Sequence, residues 1–139
     1  MEFAEFLKNY RKYPNFLRYK GIILFVDYDN YKRLKELAQK WQLTYLDVRE
    51  VLKNERIFLD KSFSPNILFD ALNKKHQDLL VNNVDLVLSA LDEINHYQFF
   101  EDFLKREFSN LIVFPILFFQ NTANKAYKKG YGKIFSLGG

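Results

Sequence analysis

The sequence predicts a three-layer α/β domain, a mostly parallel sheet of 4–5 strands between helices. Two observations lead there. The short all-apolar run "GIILFV" at 21–26 reads as a buried parallel strand, and "NLIVFPILFF" at 110–119 reads as a further strand. Stretches with apolar positions at helical spacing separate such runs, and regular alternation of this kind favours parallel strands joined by helical crossovers.

Each element can be justified in chain order. Residues 2–12 place Phe3, Phe6, Leu7 and Tyr10 on one helical face, and Pro14 interrupts the pattern. "GIILFV" is the first strand. "NYKRLKELAQKW", 30–41, carries Tyr31, Leu34, Leu37, Ala38 and Trp41 on one face, with Asp29 or Asn30 suited to cap it. "LTYLDV", 43–48, is a second short strand, and "REVLKNE" one or two turns of helix. "FSPNILFDALNKKH" opens with Ser64 as cap and Pro65 at the first helical position, with Leu68, Ala71 and Leu72 inward. "DLLVNNVDLVLS", 78–89, holds one or two strand-like runs. "DEINHYQFFEDFLKREF", 92–108, is a helix with Ile94, Tyr97, Phe100, Phe103, Leu104 and Phe108 inward. Pro115 should make the strand over 110–119 bend or lie at an edge. "YGKIFSL" supplies a last strand. No repeat, linker or low-complexity tract interrupts the chain, so residues 1–139 read as one domain.

Composition narrows the function classes. Apolar residues make up 48%, enough surface to bury that disorder is excluded. Cysteine is absent, so disulfide and thiol chemistry are excluded too. The N-terminus mixes acids and bases, and no apolar run approaches the ~18 residues of a membrane span; a cytoplasmic protein is the expectation. The net charge of +4 is unevenly placed. Lys8, Arg11, Lys12, Arg18 and Lys20 lie in the first 20 residues, and Lys125, Lys128, Lys129 and Lys133 in a basic C-terminal tail, 121–139, without acids. Tyr10, Tyr13, Tyr19, Tyr127 and Tyr131 are interleaved with them. Bases among aromatics can neutralise phosphates and stack on nucleobases, which makes these ends candidate nucleic-acid contacts.

The turn after the first strand, "DYDNYKR" at 27–33, occupies the position of a phosphate loop. Such loops need glycines so that backbone N–H groups can wrap phosphate, followed by Lys and Ser/Thr. Here there is no glycine and no Ser or Thr, and Lys32 is the only echo. Asp27 and Asp29 would each oppose a phosphate by about 1 kcal/mol or more when partly desolvated. Gly21 is followed by no glycine until Gly130. The remaining frame is nonetheless Rossmann-like or P-loop-like. Asn82, beside Asn83, stands where a magnesium-linked Asp would end a Walker B strand. The element order and "KWQLTYLDVREVL" resemble the small P-loop component of BREX phage-defence operons over roughly residues 20–118. That resemblance implies a degenerate nucleotide site without cofactor, and a non-catalytic adaptor or scaffold in a nucleic-acid-processing complex.

"FVDYDN" also looks like the first strand of NYN/PIN-type ribonucleases, whose acidic pocket begins with an Asp and an Asn three residues on, here Asp27 and Asn30. "DLVLSALDEI", 85–94, can be laid on the later strand of that family, which ends S-G-D-x-D-[FY]. Ser89 matches, Ala90 replaces the glycine, Leu91 falls at the first Asp, Glu93 falls at the second, Ile94 occupies the aromatic place, and Asp92 lies between. The resemblance implies Mg²⁺ or Mn²⁺ held by Asp27, Asp29, Asp92 and Glu93, with Asp27, Asn30, Asp92 and Glu93 as the catalytic set. Asp29 or Asn30 and Asp92 also suit helix caps, and Glu93 a first turn, whereas Asp27, an acid ending a buried run, is not explained by capping. A third expectation is a plain nucleic-acid-binding module.

His76 and His96 have no metal spacing, and Trp41 reads as core. "QFFEDFL" sets Phe99 and Phe103 on a different flank from Phe100, so these two are expected to be exposed and to meet a protein partner or a second copy.

Overall fold

The computed structural model describes residues 2–137. Helix α1 (Phe3–Lys12) and a short 3₁₀ turn (Pro14–Phe16) precede strand β1 (Gly21–Val26). Then follow α2 (Tyr28–Tyr31), α3 (Leu34–Lys40), β2 (Thr44–Asp47), α4 (Val48–Asn54), α5 (Pro65–Asn73) and β3 (Leu79–Asn82). The chain continues through α6 (Val84–Ser89), α7 (Glu93–Lys105), β4 (Ile112–Ile116), α8 (Gln120–Ala126) and β5 (Lys133–Leu137). The strands form one parallel sheet in the order β2-β3-β4-β1-β5.

The two faces of β1 seed two cores, because side chains alternate along a strand. Ile22, Leu24 and Val26 meet α1 and α3 through Phe3, Phe6, Leu7, Leu34, Leu37 and Ala38. Ile23 and Phe25 face the helices α4 to α8. The fold is thus a sheet between two helical layers, as predicted.

Several elements differ from the sequence reading, each for a local reason. Residues 30–41 form two helices, since Asp27 starts α2 early and Arg33 leaves helical geometry before α3. Over 78–89 only Leu79–Asn82 is strand. Asn83 turns the chain at φ 67°, and Val84, Val87 and Leu88 then bury one face of α6. Pro115 lies in β4, the middle strand, but the β3 ladder on β4 ends at Leu80–Val113, before the proline. The basic C-terminal stretch is not a loose tail: it contains α8 and β5, and β5 pairs with β1 from Ile22–Lys133 to Val26–Leu137. Positions 138–139 lie outside the described residues.

Phe99 and Phe103 are not exposed; both have 0% accessible surface. Helix α7 packs against α5, α8 and β1, so both of its apolar flanks are covered. Phe103 stacks on Phe114 at 4.0 Å, and Phe69 meets Phe99 edge-on at 5.2 Å. Ile94, expected inward, is 85% exposed in the first turn of α7. Gly21 and Gly132 stand where the last turn of α7 meets the sheet. A Cβ on Gly21 would lie 2.7 Å from the Phe103 carbonyl oxygen, and one on Gly132 would collide with the Gly21 carbonyl. Gly132 donates its N–H to the Leu104 carbonyl at 2.8 Å.

Candidate functional site

In open α/β sheets ligands collect at the carboxyl ends of the strands, and the corner after β1 is the first place to look. Asp27 is exposed, with extended backbone, and its Oδ1 accepts the N–H of Asn30 at 2.8 Å. Asp27 is therefore the helix cap, not Asp29 or Asn30. A backbone donor of the protein already meets the one acid that capping had not explained. Lys32 leans over the Tyr28 ring at 4.6 Å. Helix α2 has 4 residues, too short to present a fan of N–H groups to phosphate.

Beside this corner, the ends of β2 and β3 are tied together by side chains. Asn82 is buried; its Nδ2 donates to the Tyr45 hydroxyl at 2.8 Å, and its Oδ1 accepts the Asn83 N–H at 2.7 Å. The Tyr31 hydroxyl donates to Asn83 Oδ1 at 2.6 Å, and Asn83 Nδ2 donates to Asp47 Oδ2 at 3.0 Å. Asp47 also caps α4 through the Arg49 N–H at 3.0 Å and holds the Arg49 guanidinium at 2.7 Å. Those bonds from Arg49 keep the Asp47 carboxyl below its ordinary range, while burial pushes the Tyr31 hydroxyl upward. The network borders a cleft of ≈ 490 Å³ shared with Lys35 and Glu50. Among the described residues no buried side-chain donor or acceptor lacks a partner. Asn82 is thus a neutral tie between Tyr45 and the backbone. Sequence reading missed Tyr31, Tyr45 and Asp47 here; the adjacency of β2 and β3 brings Tyr45 and Asp47 to the asparagines, and Tyr31 reaches them from α2.

The acids of the nuclease resemblance do not converge. Asp27 and Asp29 follow β1. Asp92 stands at the N-terminus of α7 and lines another cleft with Leu59, Lys61 and Asn95. The segment laid on the later nuclease strand is helix α6 instead. Among the described residues no three of His, Cys, Asp and Glu come together as a metal site. One acid there has a structural role: Asp85 accepts the N–H groups of Leu117 (3.1 Å) and Phe118 (3.0 Å), and burial pushes its carboxyl upward.

The opposite, amino-terminal edge of the sheet gathers the basic ends. Because Ile22 pairs with Lys133, the chain before β1 runs beside the chain before β5. Tyr19 and Tyr131 meet edge to face, with ring centroids 4.8 Å apart. Arg18 lies 5.2 Å from the Tyr19 ring, and Lys105 Nζ 5.7 Å from the Tyr131 ring. Some of the predicted cations already have protein partners. Arg18 pairs with Glu107, Lys128 shares Glu101 with Lys105, Lys20 donates to the Ser109 carbonyl, and Arg11 donates to the Trp41 and Gln42 carbonyls. Lys8, Lys12, Lys125, Lys129 and Lys133 form no ion pair among the described residues. Lys105, the last residue of α7, joins this edge without having been singled out, since nothing in its own helix marks its proximity to Tyr131. No helix among the described residues is long and apolar enough to cross a membrane. Comparison of the chain with protein-family models, with curated proteins and with solved structures found no match.

Proposed function

We propose that this protein is a non-catalytic adaptor subunit of a nucleic-acid-processing complex. It holds nucleic acid at the amino edge of its sheet and a protein partner at the carboxyl edge. The observation that carries the proposal is the pairing of β5 with β1, which sets two basic, tyrosine-bearing chain ends side by side at the amino edge. Lysines free of ion pairs, with exposed rings such as Tyr13 and Tyr127 on the same two chain ends, are what a phosphate backbone requires of its binder. At the carboxyl edge the nucleotide corner is closed by the Asp27 cap and the Asn82–Asn83 network. Exposed apolar side chains follow three neighbouring strands there: Tyr28 after β1, Leu86 after β3 and Phe118 after β4. This rim suits a protein partner better than the buried Phe99 and Phe103 do.

The test is binding of labelled 20-nucleotide RNA and DNA by anisotropy across about 50–200 mM salt. The expected result is affinity that falls steeply with salt and drops further in the Lys125→Glu, Lys129→Glu variant. Absence of binding at low salt would overturn the nucleic-acid role. Calorimetry with ATP·Mg²⁺ should give no heat, and micromolar binding there would refute the closed corner.

A further inference from the structure

We propose that the groove between α1, the 3₁₀ turn and the start of β5 is a stacking slot for an unpaired nucleobase, which makes the protein selective for single strands. The inference rests on the nucleic-acid role proposed above and adds the site and the strand preference. The groove encloses ≈ 470 Å³ and is lined by Phe6, Tyr10, Tyr13, Phe16, Leu17 and Lys133 among others, with no carboxylate in its wall. That volume falls within the ~300–1,000 Å³ of ordinary ligand clefts.

Its rings are unusually bare. Phe16 is 87% exposed and Tyr13 is 52% exposed, and the two meet edge to face at 5.7 Å. An edge-to-face pair covers one face of one ring, and the faces left bare at these two exposed side chains are free to take a flat partner. Cations border the same rings. Lys12 Nζ lies 5.5 Å from the Tyr13 centroid, Lys20 Nζ lies 6.0 Å from the Tyr10 centroid, and Lys133 is part of the wall. Asp78, which meets the Tyr10 hydroxyl, has its Oδ1 committed to that hydroxyl and to the Leu111 N–H. Lysines set around open aromatic faces match an unstacked base with phosphates on either side. A duplex offers phosphates to the same lysines but no free base face. An acidic peptide offers charge with no flat group for the rings.

Anisotropy with a 15-mer oligo(dT), a 15-base-pair duplex and a polyglutamate peptide decides the matter. The variants are Tyr13→Ala with Phe16→Ala, and Phe16→Trp alone. Both sites are exposed, and unchanged circular dichroism verifies folding. The double variant should lose about tenfold or more in single-strand affinity with duplex affinity unmoved, and Phe16→Trp should bind single strands at least as well as wild type. Equal single-strand affinity for wild type and double variant overturns the slot but leaves the basic face standing. Polyglutamate binding that falls in the same variant overturns the base in favour of a peptide. Failure of wild type to bind either nucleic acid overturns the functional proposal and the slot together.

Discussion

Replacing Asp78 by Ala should destabilise the protein by about 2–4 kcal/mol. Asp78 sits at the start of β3, and one of its oxygens serves two donors: the Leu111 N–H at 2.9 Å and the Tyr10 hydroxyl at 3.2 Å. Leu111 is fully buried, so its N–H has no water to turn to, and a buried donor left unmade costs about 1–3 kcal/mol. The Tyr10 hydroxyl adds about 1 kcal/mol, because its ring borders the open groove and water can partly replace the carboxylate. For 139 residues at about 2.1 cal/mol/K each, the unfolding entropy is ~0.3 kcal/mol/K, so the midpoint should drop by about 7–14 °C. Tyr10→Phe removes only the hydroxyl and should cost about 0.5–1.5 kcal/mol. The double variant should be no worse than Asp78→Ala plus a few tenths, since the hydroxyl has then no acceptor to lose. The pair also has an alkaline signature. Burial, then the Asp78 charge, push the Tyr10 hydroxyl up to about 12 from 10.0. Folding therefore favours the protonated form. That stabilisation is complete below pH 10 and is lost as pH rises toward 12, and Tyr10→Phe should abolish the slope. Urea titrations followed by circular dichroism measure all of this. An Asp78→Ala protein that melts within about 2 °C of wild type, or a double variant whose cost is the full sum, refutes the clamp.

Three further outcomes are expected. Gln42 (φ 57°) and Arg56 (φ 54°) occupy the left-handed position after α3 and α4, where Leu43 and Ile57 donate back to Ala38 and Leu52. Gln42→Gly and Arg56→Gly should each raise stability by about 1 kcal/mol, and a fall in either urea midpoint would contradict the reading. Gly132→Ala should be strongly destabilising, because its Cβ meets the Gly21 carbonyl and the Leu104 carbonyl from rigid elements; a wild-type melting curve would show that β5 docks otherwise. At acid pH two carboxylates act with opposite signs. Asp47, held low by Arg49, gives stability that is present above its ordinary 3.8 and lost as pH falls through its lower folded value. Asp85, raised by burial, gives a contribution that is present below 3.8 and lost as pH rises through its higher folded value. The stability difference between wild type and Asp47→Asn should thus shrink on acidification, whereas that for Asp85→Asn should shrink as pH rises from 3.8; parallel profiles for the two would defeat the assignment.

The alternation of buried strands and amphipathic helices was legible in the sequence because periodicity is a local property. "GIILFV" can be little else than a strand buried on both sides, and Phe3, Phe6, Leu7 and Tyr10 mark a helix whatever lies around them. The lack of glycine in "DYDN" was equally decisive against a phosphate loop. Ambiguity entered where two local periods fit. "VDLVLS" reads as strand by composition and folds as helix because Asn83 turns the chain before it. "QFFEDFL" carries apolar residues on two flanks, and only the placement of α5 and α8 beside α7 decided that both are inside.

The candidate sites divide in the same way. The sequence by itself determined which residue types were available: bases and tyrosines at both ends, an acid after the first strand, an asparagine where an acid might have ended β3. Tertiary structure alone decided which of them meet. Strand order placed β5 against β1 and so brought chain segments more than a hundred residues apart side by side, with Tyr19 edge-on to Tyr131. It put Tyr31 on Asn83, and Asn83 on Asp47, across three different elements. Among the described residues the Asp27 carboxylate meets the Asn30 N–H, three residues along its own chain. Pairing of distant strands depends on the burial of whole faces against one another, a sum over many residues that no short stretch of sequence contains.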